Sequence, residues 1–333
     1  MGDKKIAVIT GVNGQDGSYL SELLLAKDYA VIGLKRRTST INTSRIDHLV
    51  DNHDFTLKYY DLLDSMCMTK ILKENNVSEI YNLAAQSHVA VSFEIPGFTS
   101  DGICNGTLNI LEAIRCISPS TRFYQASSSE MYGDSKDFDD DLGFDETSRM
   151  TPVSPYAVAK LHAHHMTRTY RQAYGLHASC GILFNHEAPR RGETFVTRKI
   201  TIAASKIKAG LQDKIHLGNL ESKRDWGFAG DYVDAMWRML QHEHGDDYVV
   251  ATGNTYKISD FLDIVFKYAE LGDFRNYVEI DPRLFRPNEV PYLKGNPAKA
   301  KKILKWNPTC DLECLAKMMF DHDYNLIKNG KNL

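Results

Sequence analysis

No apolar run in this 333-residue chain approaches the roughly 20 residues that a helix needs to cross a bilayer. The N-terminal stretch has no apolar core of a secretory signal, because Ile6 to Thr10 is short and runs straight into a glycine-rich turn. A cytoplasmic protein is therefore expected. Excess positive charge is missing too. The formal charge of −3 argues against a nucleic-acid binder that works through a broad basic field. Cysteine is sparse: Cys67, Cys104, Cys116, Cys180, Cys310 and Cys314 are scattered, which argues against a disulfide framework. Only Cys310 and Cys314 lie close together. With no second pair and no nearby His they read as ordinary thiols, and no metal is expected. There is no internal repeat, and Asp137-Phe138-Asp139-Asp140-Asp141 reads as an acidic surface loop.

Hydrophobic residues make up 43% of the chain and charged residues 25%, enough for a sizeable core. Lys5–Thr10, Ala30–Leu34, Leu57–Tyr60, Glu79–Leu83, Arg122–Ala126 and Ala178–Phe184 read as buried strands. Between them, Tyr19/Leu20/Leu23/Leu24, Met68/Ile71/Leu72, Ile110/Leu111/Ile114 and the stretch from Tyr156 to Tyr174 have helical spacing. This β-α repetition predicts an α/β fold with a doubly wound parallel (Rossmann) sheet and ligands at the C-terminal strand ends. Residues 1–184 are expected to form the dinucleotide-binding domain, with parts of 228–257 returning to it. Residues 185–333, where loops lengthen and charged and aromatic residues cluster, are expected to form mainly a smaller substrate-binding domain.

Gly11, Gly14 and Gly17 lie between a strand and a helix, where glycine permits a tight turn and close approach of backbone N–H groups to a pyrophosphate. Gly11, Asn13, Gly14, Gln15 and Asp16 are candidate cofactor contacts. The end of the second strand, Gly33-Leu34-Lys35-Arg36-Arg37-Thr38, lacks the carboxylate that would bind a ribose 2′-hydroxyl. An arginine there can bind a 2′-phosphate instead, so NADP is the expected cofactor, with Arg36 as its selector. Asp61 and Leu62 are placed at the adenine. Leu83, Ala84, Ala85 and Ser87 are placed at the nicotinamide half.

Tyr156 and Lys160 are four apart and share a helix face. The lysine charge is expected to favour the phenolate. Ser127-Ser128-Ser129-Glu130 supplies hydroxyls and a carboxylate after strand five. A Tyr/Lys pair beside a nicotinamide can move a proton and a hydride. His162, His164 and His165 lie on the same helix. Without a matching carboxylate they are assigned to helix surface or interface rather than to a metal.

The stretches Gly11–Leu20, Tyr81–Val89, Phe123–Ser127, Ser154–Ala157, Gly181–Gly192, Phe195–Ile200, Gly218–Gly227 and Arg286–Val290 resemble the extended short-chain dehydrogenase/reductase family and, within it, the GDP-mannose 4,6-dehydratases. The likeness covers about residues 4 to 327. It implies conversion of GDP-D-mannose to GDP-4-keto-6-deoxy-D-mannose without net redox change, using NADP. It assigns catalysis to Ser128, Glu130, Tyr156 and Lys160 and nicotinamide-side contacts to His186 and Arg191. Substrate contacts fall on Ser87, Asn185, Glu187, Lys199, Leu217, Gly218, Arg224, Arg286 and Glu289. Glu130 separates dehydration from epimerisation, because the resembling 4-epimerases place no acid there. Another nucleotide-sugar 4,6-dehydratase or 4-epimerase, a non-catalytic NADP sensor, and a secondary NADPH-dependent reduction of the keto product are the alternatives. The likeness also implies a homodimer or homotetramer, with Thr38 to Arg45 as a loop toward a neighbouring subunit. The chain departs from the family pattern at Ser128 (usually Thr), at Phe98 (usually Tyr), and at Gly227-Phe228-Ala229-Gly230-Asp231 (usually Gly-His-Ala-Lys-Asp).

Overall fold

The computed structural model describes residues 4–138, 141–285 and 287–330; Asp139 and Asp140 of the acidic run, and Arg286, lie outside these residues. Its strands are β1 (Ile6–Thr10), β2 (Ala30–Lys35), β3 (Phe55–Tyr59), β4 (Val77–Asn82), β5 (Arg122–Ser128), β6 (Ala178–Leu183), β7 (Asn185–Glu187), β8 (Ile215–Leu217), β9 (Lys223–Arg224), β10 (Trp226–Phe228), β11 (Asp247–Val250), β12 (Tyr256–Lys257) and β13 (Val278–Ile280). Seven of them make one parallel sheet in the order β11-β6-β5-β4-β1-β2-β3. The doubly wound sheet expected from the sequence is therefore present.

Its helices are α1 (Gln15–Ala26), α2 (Ser65–Glu74), α3 (Val89–Glu94), α4 (Pro96–Ser100), α5 (Gly106–Ile117), α6 (Pro155–Tyr174), α7 (Val196–Lys208), α8 (Ala229–Gln241), α9 (Ile258–Tyr268) and α10 (Leu312–Lys328). Successive strand residues face opposite layers. Ala7 and Ile9 pack with Leu20, Leu24, Met236 and Leu240 of α1 and α8. Val8 packs with Ile71, Ile110 and Ile114 of α2 and α5. Both sheet faces are thus covered, which explains why the strands read as continuous apolar runs.

The strand order reverses between β1 and β4, and a crevice opens at such a switch point. Thr10 pins it. Its hydroxyl donates to Asn82 Oδ1 at 2.8 Å and accepts from the Leu83 and Ala84 N–H groups at 3.0 and 3.1 Å.

Beyond β6 the sequence reading anticipated lengthened loops; besides α8, which packs back on the sheet, the structure has the helices α7, α9 and α10 there. α7, α9 and α10 bury Ile200, Ala204, Phe261, Phe266, Leu315 and Phe320 in a separate core with Trp226. The spacing Ile200/Ala203/Ala204/Ile207 is helical. It was masked by the charged and glycine-rich stretches that flank it.

Candidate active site

A cleft of about 1150 Å³ runs along the C-terminal ends of the strands. Gly11 has φ 69°, and a Cβ there would stand 3.0 Å from Ala84 Cα, so only glycine lets the turn lie against the end of β4. Gly14 caps α1 without a side-chain hydrogen bond, leaving first-turn N–H groups for an anion. Asn13, Gln15, Asp16, Leu83, Ala84, Ala85 and Ser87 line the same cleft. A cradle closed to any Cβ and a helix N-terminus facing an elongated cleft together fit a dinucleotide.

At one end of the cleft, Arg36 follows β2 with an exposed guanidinium. Asp61 follows β3, and its carboxylate accepts the Leu63 N–H at 2.9 Å. Leu62 packs over Gly106. Asn13 donates to the Asn42 carbonyl at 3.1 Å, and Arg45 donates to the Arg190 carbonyl at 2.7 Å. The Thr38–Arg45 segment is therefore tied to the glycine turn of its own chain. Ile41 is left almost fully exposed.

Across the cleft, β5 ends at Ser128, whose hydroxyl accepts the Glu130 N–H at 3.2 Å. A single turn over Ser129–Met131 brings Glu130 back into the wall, buried. α6 starts with Pro155 in its first turn and with Ser154 accepting the Ala157 N–H at 3.1 Å, a capped start that fixes the next residue, Tyr156. Burial pushes the Tyr156 phenol up to about 12, opposed by its hydrogen bond with Ser128 and reinforced by the Glu130 charge. The expected lowering of this phenol is thus reversed. The Lys160 ammonium donates to the Ala126 carbonyl at 2.7 Å and stands 5.8 Å from the Tyr156 ring centroid. Burial brings Lys160 down to about 8, with the Asp16 charge opposing.

His164 departs from its assignment to helix surface or interface. His162 and His165 are exposed, but His164 is buried and shares with Ala163 and Thr167 the face that carries Lys160. Its Nδ1 meets the Ser127 hydroxyl at 3.0 Å, and its Nε2 lies 3.9 Å from Asp247. Burial lowers its pKa to about 4 against the Asp247 charge. The ring is therefore neutral. Among the described residues, His164, Cys180 and Asp247 have metal-ligand spacing. Both Asp247 oxygens are, however, taken by the Arg171 fork at 3.0 Å, and burial keeps the Cys180 thiol protonated.

The short parallel pair β7–β10 forms the floor. His186 Nδ1 faces the Phe184 carbonyl and Nε2 faces Asp16, each at 2.8 Å. Both partners only accept, so both nitrogens carry protons. Burial disfavours each charge of the pair, yet mutual attraction raises the His186 pKa and lowers that of Asp16. Gln15 adds a bond to the His186 carbonyl at 3.1 Å, joining the glycine turn to β7. Glu187 is fully buried against Arg191 at 2.9 Å and Thr197. Arg191 in turn lies 3.9 Å over Phe195. Lys199 reaches the His216 carbonyl at 2.7 Å, and Arg224 pairs with Glu289 at 3.0 Å. Asn185, Leu217 and Gly218 complete the lining.

Every described residue assigned from the sequence to catalysis, cofactor or substrate lines this one cleft. Phe195, Thr197 and the Ser127–His164 bond were missed; only the helical register of His164 with Lys160 signalled any of them. Two of the departures from the family pattern compensate each other. The Phe228 ring packs edge-on to Tyr19 at 5.9 Å, and a Cβ on Gly230 would stand 2.3 Å from that ring.

A doubly wound sheet with a glycine turn, a Tyr/Lys pair and a hydroxyl-plus-carboxylate turn in one cleft defines an extended short-chain dehydrogenase/reductase. Two solved structures share the fold. One is UDP-glucose 4-epimerase with UDP-glucose from Thermotoga maritima (22% identity, TM-score 0.84, 97% of this chain and 99% of that one). The other is dTDP-glucose 4,6-dehydratase in complex with NAD from Bacillus anthracis (20%, 0.82, 98% and 97%). The family model for GDP-mannose 4,6 dehydratase matches residues 8–319. GDP-mannose 4,6 dehydratase 1 of Arabidopsis thaliana is 52% identical over 340 residues, covering 99% of this chain and 92% of its own. The chain belongs to the GDP-mannose 4,6-dehydratase family, a family of hydro-lyases.

Proposed function

We propose that this chain converts GDP-mannose to GDP-4-keto-6-deoxymannose, with NADP as its resident cofactor. The observation that carries this reading is the convergence of Ser128, Glu130 and Tyr156 on one wall of a cleft whose other side is the dinucleotide cradle. When bound, the nicotinamide supplies the chemistry of a reversible hydride acceptor, taking from sugar C4 and returning to C6.

Tyr156 as phenolate takes the proton of the 4-hydroxyl. Ser128, already hydrogen-bonded to that phenol, steadies the 4-oxygen. The Lys160 ammonium offers positive charge on the same helix face and a donor for the nicotinamide ribose. The new ketone acidifies C5–H. Glu130 takes that proton and passes it to the departing 6-hydroxyl, which leaves as water. The proton held by Tyr156 returns to C5 as C6 is reduced, so protons and electrons balance without external reagents. Lys199 and Arg224 suit the diphosphate, with Arg286 as a third candidate. Asn185, Glu187 and Ser87 lie toward the sugar. With GDP-mannose deuterated at C4, the product is expected to carry deuterium at C6 when analysed by mass spectrometry and NMR. Label that is absent from C6 would overturn this reading.

Arg36 is the proposed reader of the 2′-phosphate. β2 ends without a carboxylate, and of Lys35, Arg36 and Arg37 it is Arg36 that lines the cleft, while Lys35 lies over Tyr59. Charge-assisted hydrogen bonds of this kind are worth roughly 1.5–3 kcal/mol. Arg36→Asp should therefore weaken NADP binding about 10- to 100-fold and NAD binding only a few-fold, as read by calorimetric titration. Equal losses for both would refute the assignment.

A further inference from the structure

Among the described residues Arg36 makes no ion pair; what it meets is an aromatic face, the Phe98 ring, with the guanidinium carbon 5.5 Å from the ring centroid. Both side chains line the cleft at the end where β2 and β3 deliver Arg36, Asp61 and Leu62. Phe98 is 47% exposed, an unusual position for a phenylalanine, while its neighbour Thr99 is fully buried. The segment that presents Phe98 is well anchored. Pro96 opens α4, and the Thr99 hydroxyl donates to the Ile95 carbonyl at 3.0 Å and receives Gln86 Nε2 at 3.2 Å. Gln86 also donates to the His88 carbonyl at 3.1 Å. The backbone that carries the ring is therefore tied to the Ala84–Ser87 loop on the cleft wall.

A guanidinium attracted to an aromatic face keeps its N–H edge free for a planar fork of hydrogen bonds. An unsupported surface arginine would lose side-chain freedom each time it bound a phosphate. A ring that already holds the guanidinium over the cleft mouth removes part of that loss.

We propose that Phe98 is a positioning residue for cofactor selectivity: its ring holds the Arg36 guanidinium where a ribose 2′-phosphate enters, so preference for the phosphorylated dinucleotide depends on an aromatic side chain at 98. This rests on the NADP reading above. The aromatic contact makes no demand on the catalytic wall, so its effect is confined to the choice between ligands with and without the 2′-phosphate.

The test is a competition titration of the purified full chain with adenosine 2′,5′-bisphosphate and with adenosine 5′-monophosphate, which isolates the 2′-phosphate from the nicotinamide. The measured quantity is the ratio of the two affinities in wild type, Phe98→Ala, Phe98→Tyr, Arg36→Ala and the double variant. The ratio in Phe98→Ala should fall about 2- to 5-fold, the size of an exposed cation–π contact, and Phe98→Tyr should preserve it. In the Arg36→Ala background, Phe98→Ala should change the ratio no further. An unchanged ratio in Phe98→Ala overturns the proposal. So does an equal loss for both ligands, which would make Phe98 a packing surface for adenine, or an undiminished effect when Arg36 is already gone. A wild type that does not prefer the bisphosphate, or an Arg36→Ala variant with the wild-type ratio, would instead sink the NADP reading beneath it. Phe98 is half exposed, so a matched melting temperature checks that Phe98→Ala remains folded.

Discussion

Glu130→Gln is expected to lower turnover of GDP-mannose to the 4-keto-6-deoxy product by about 10³-fold or more, within the range for loss of a positioned acid–base group. Dinucleotide binding should be left intact. The effect should be large because, in the proposed mechanism, one carboxyl group serves two steps. It removes the C5 proton and then delivers a proton to the departing 6-oxygen. Glutamine matches the shape but can do neither. The local backbone should survive, since the hydrogen bond to the Ser128 hydroxyl comes from the residue-130 N–H rather than from its side chain. In that mechanism oxidation at C4 does not need Glu130. Mixing the variant with GDP-mannose should therefore produce the near-ultraviolet absorbance of reduced nicotinamide, which persists instead of decaying. Wild-type turnover in this variant would remove Glu130 from the mechanism. Loss of nicotinamide reduction as well would show that its role begins before dehydration.

Tyr156→Phe is expected to lower kcat about 10²- to 10⁴-fold, with loss of the first chemical step and no build-up of reduced nicotinamide. The pH profile separates a catalytic role from a packing one. With the phenol up at about 12 and the Lys160 ammonium at about 8, the phenol is protonated and the lysine charged near neutrality. Raising the pH increases the phenolate fraction, so wild-type activity should climb with pH. Above about 8 Lys160 loses its proton, its support for the phenolate fades, and the climb should level off. Tyr156→Phe should lack the rising limb. A phenylalanine variant with the wild-type profile, whatever its absolute rate, would show that another group takes the proton.

Much of this site could be read along the chain because its elements are local. The glycine turn, the spacing of Tyr156 and Lys160, and the Ser128/Glu130 turn each occupy a few consecutive residues whose backbone geometry follows from steric rules and helical period. The buried strands were legible for a related reason: a parallel sheet covered on both faces needs near-continuous apolar runs. The reading failed where the partner comes from far away. Lys160 was expected to ease ionisation of Tyr156, but the folded chain buries both, and desolvation outweighs the help. His164 was assigned to the helix surface or interface, yet its neighbours Ser127 and Asp247 arrive from strands 37 residues before it and far after it.

Composition and spacing along the chain were enough to settle that this is a doubly wound α/β protein with a dinucleotide turn and a Tyr/Lys pair, since hydrophobic period and glycine sterics act over a few residues. Folding alone decided the electrostatics of the cleft. The Asp16–His186 pair, the Arg224–Glu289 pair and the platform under Arg36 join residues distant in the chain. Their energies depend on separation and burial, quantities that come into being only when the strands lie side by side.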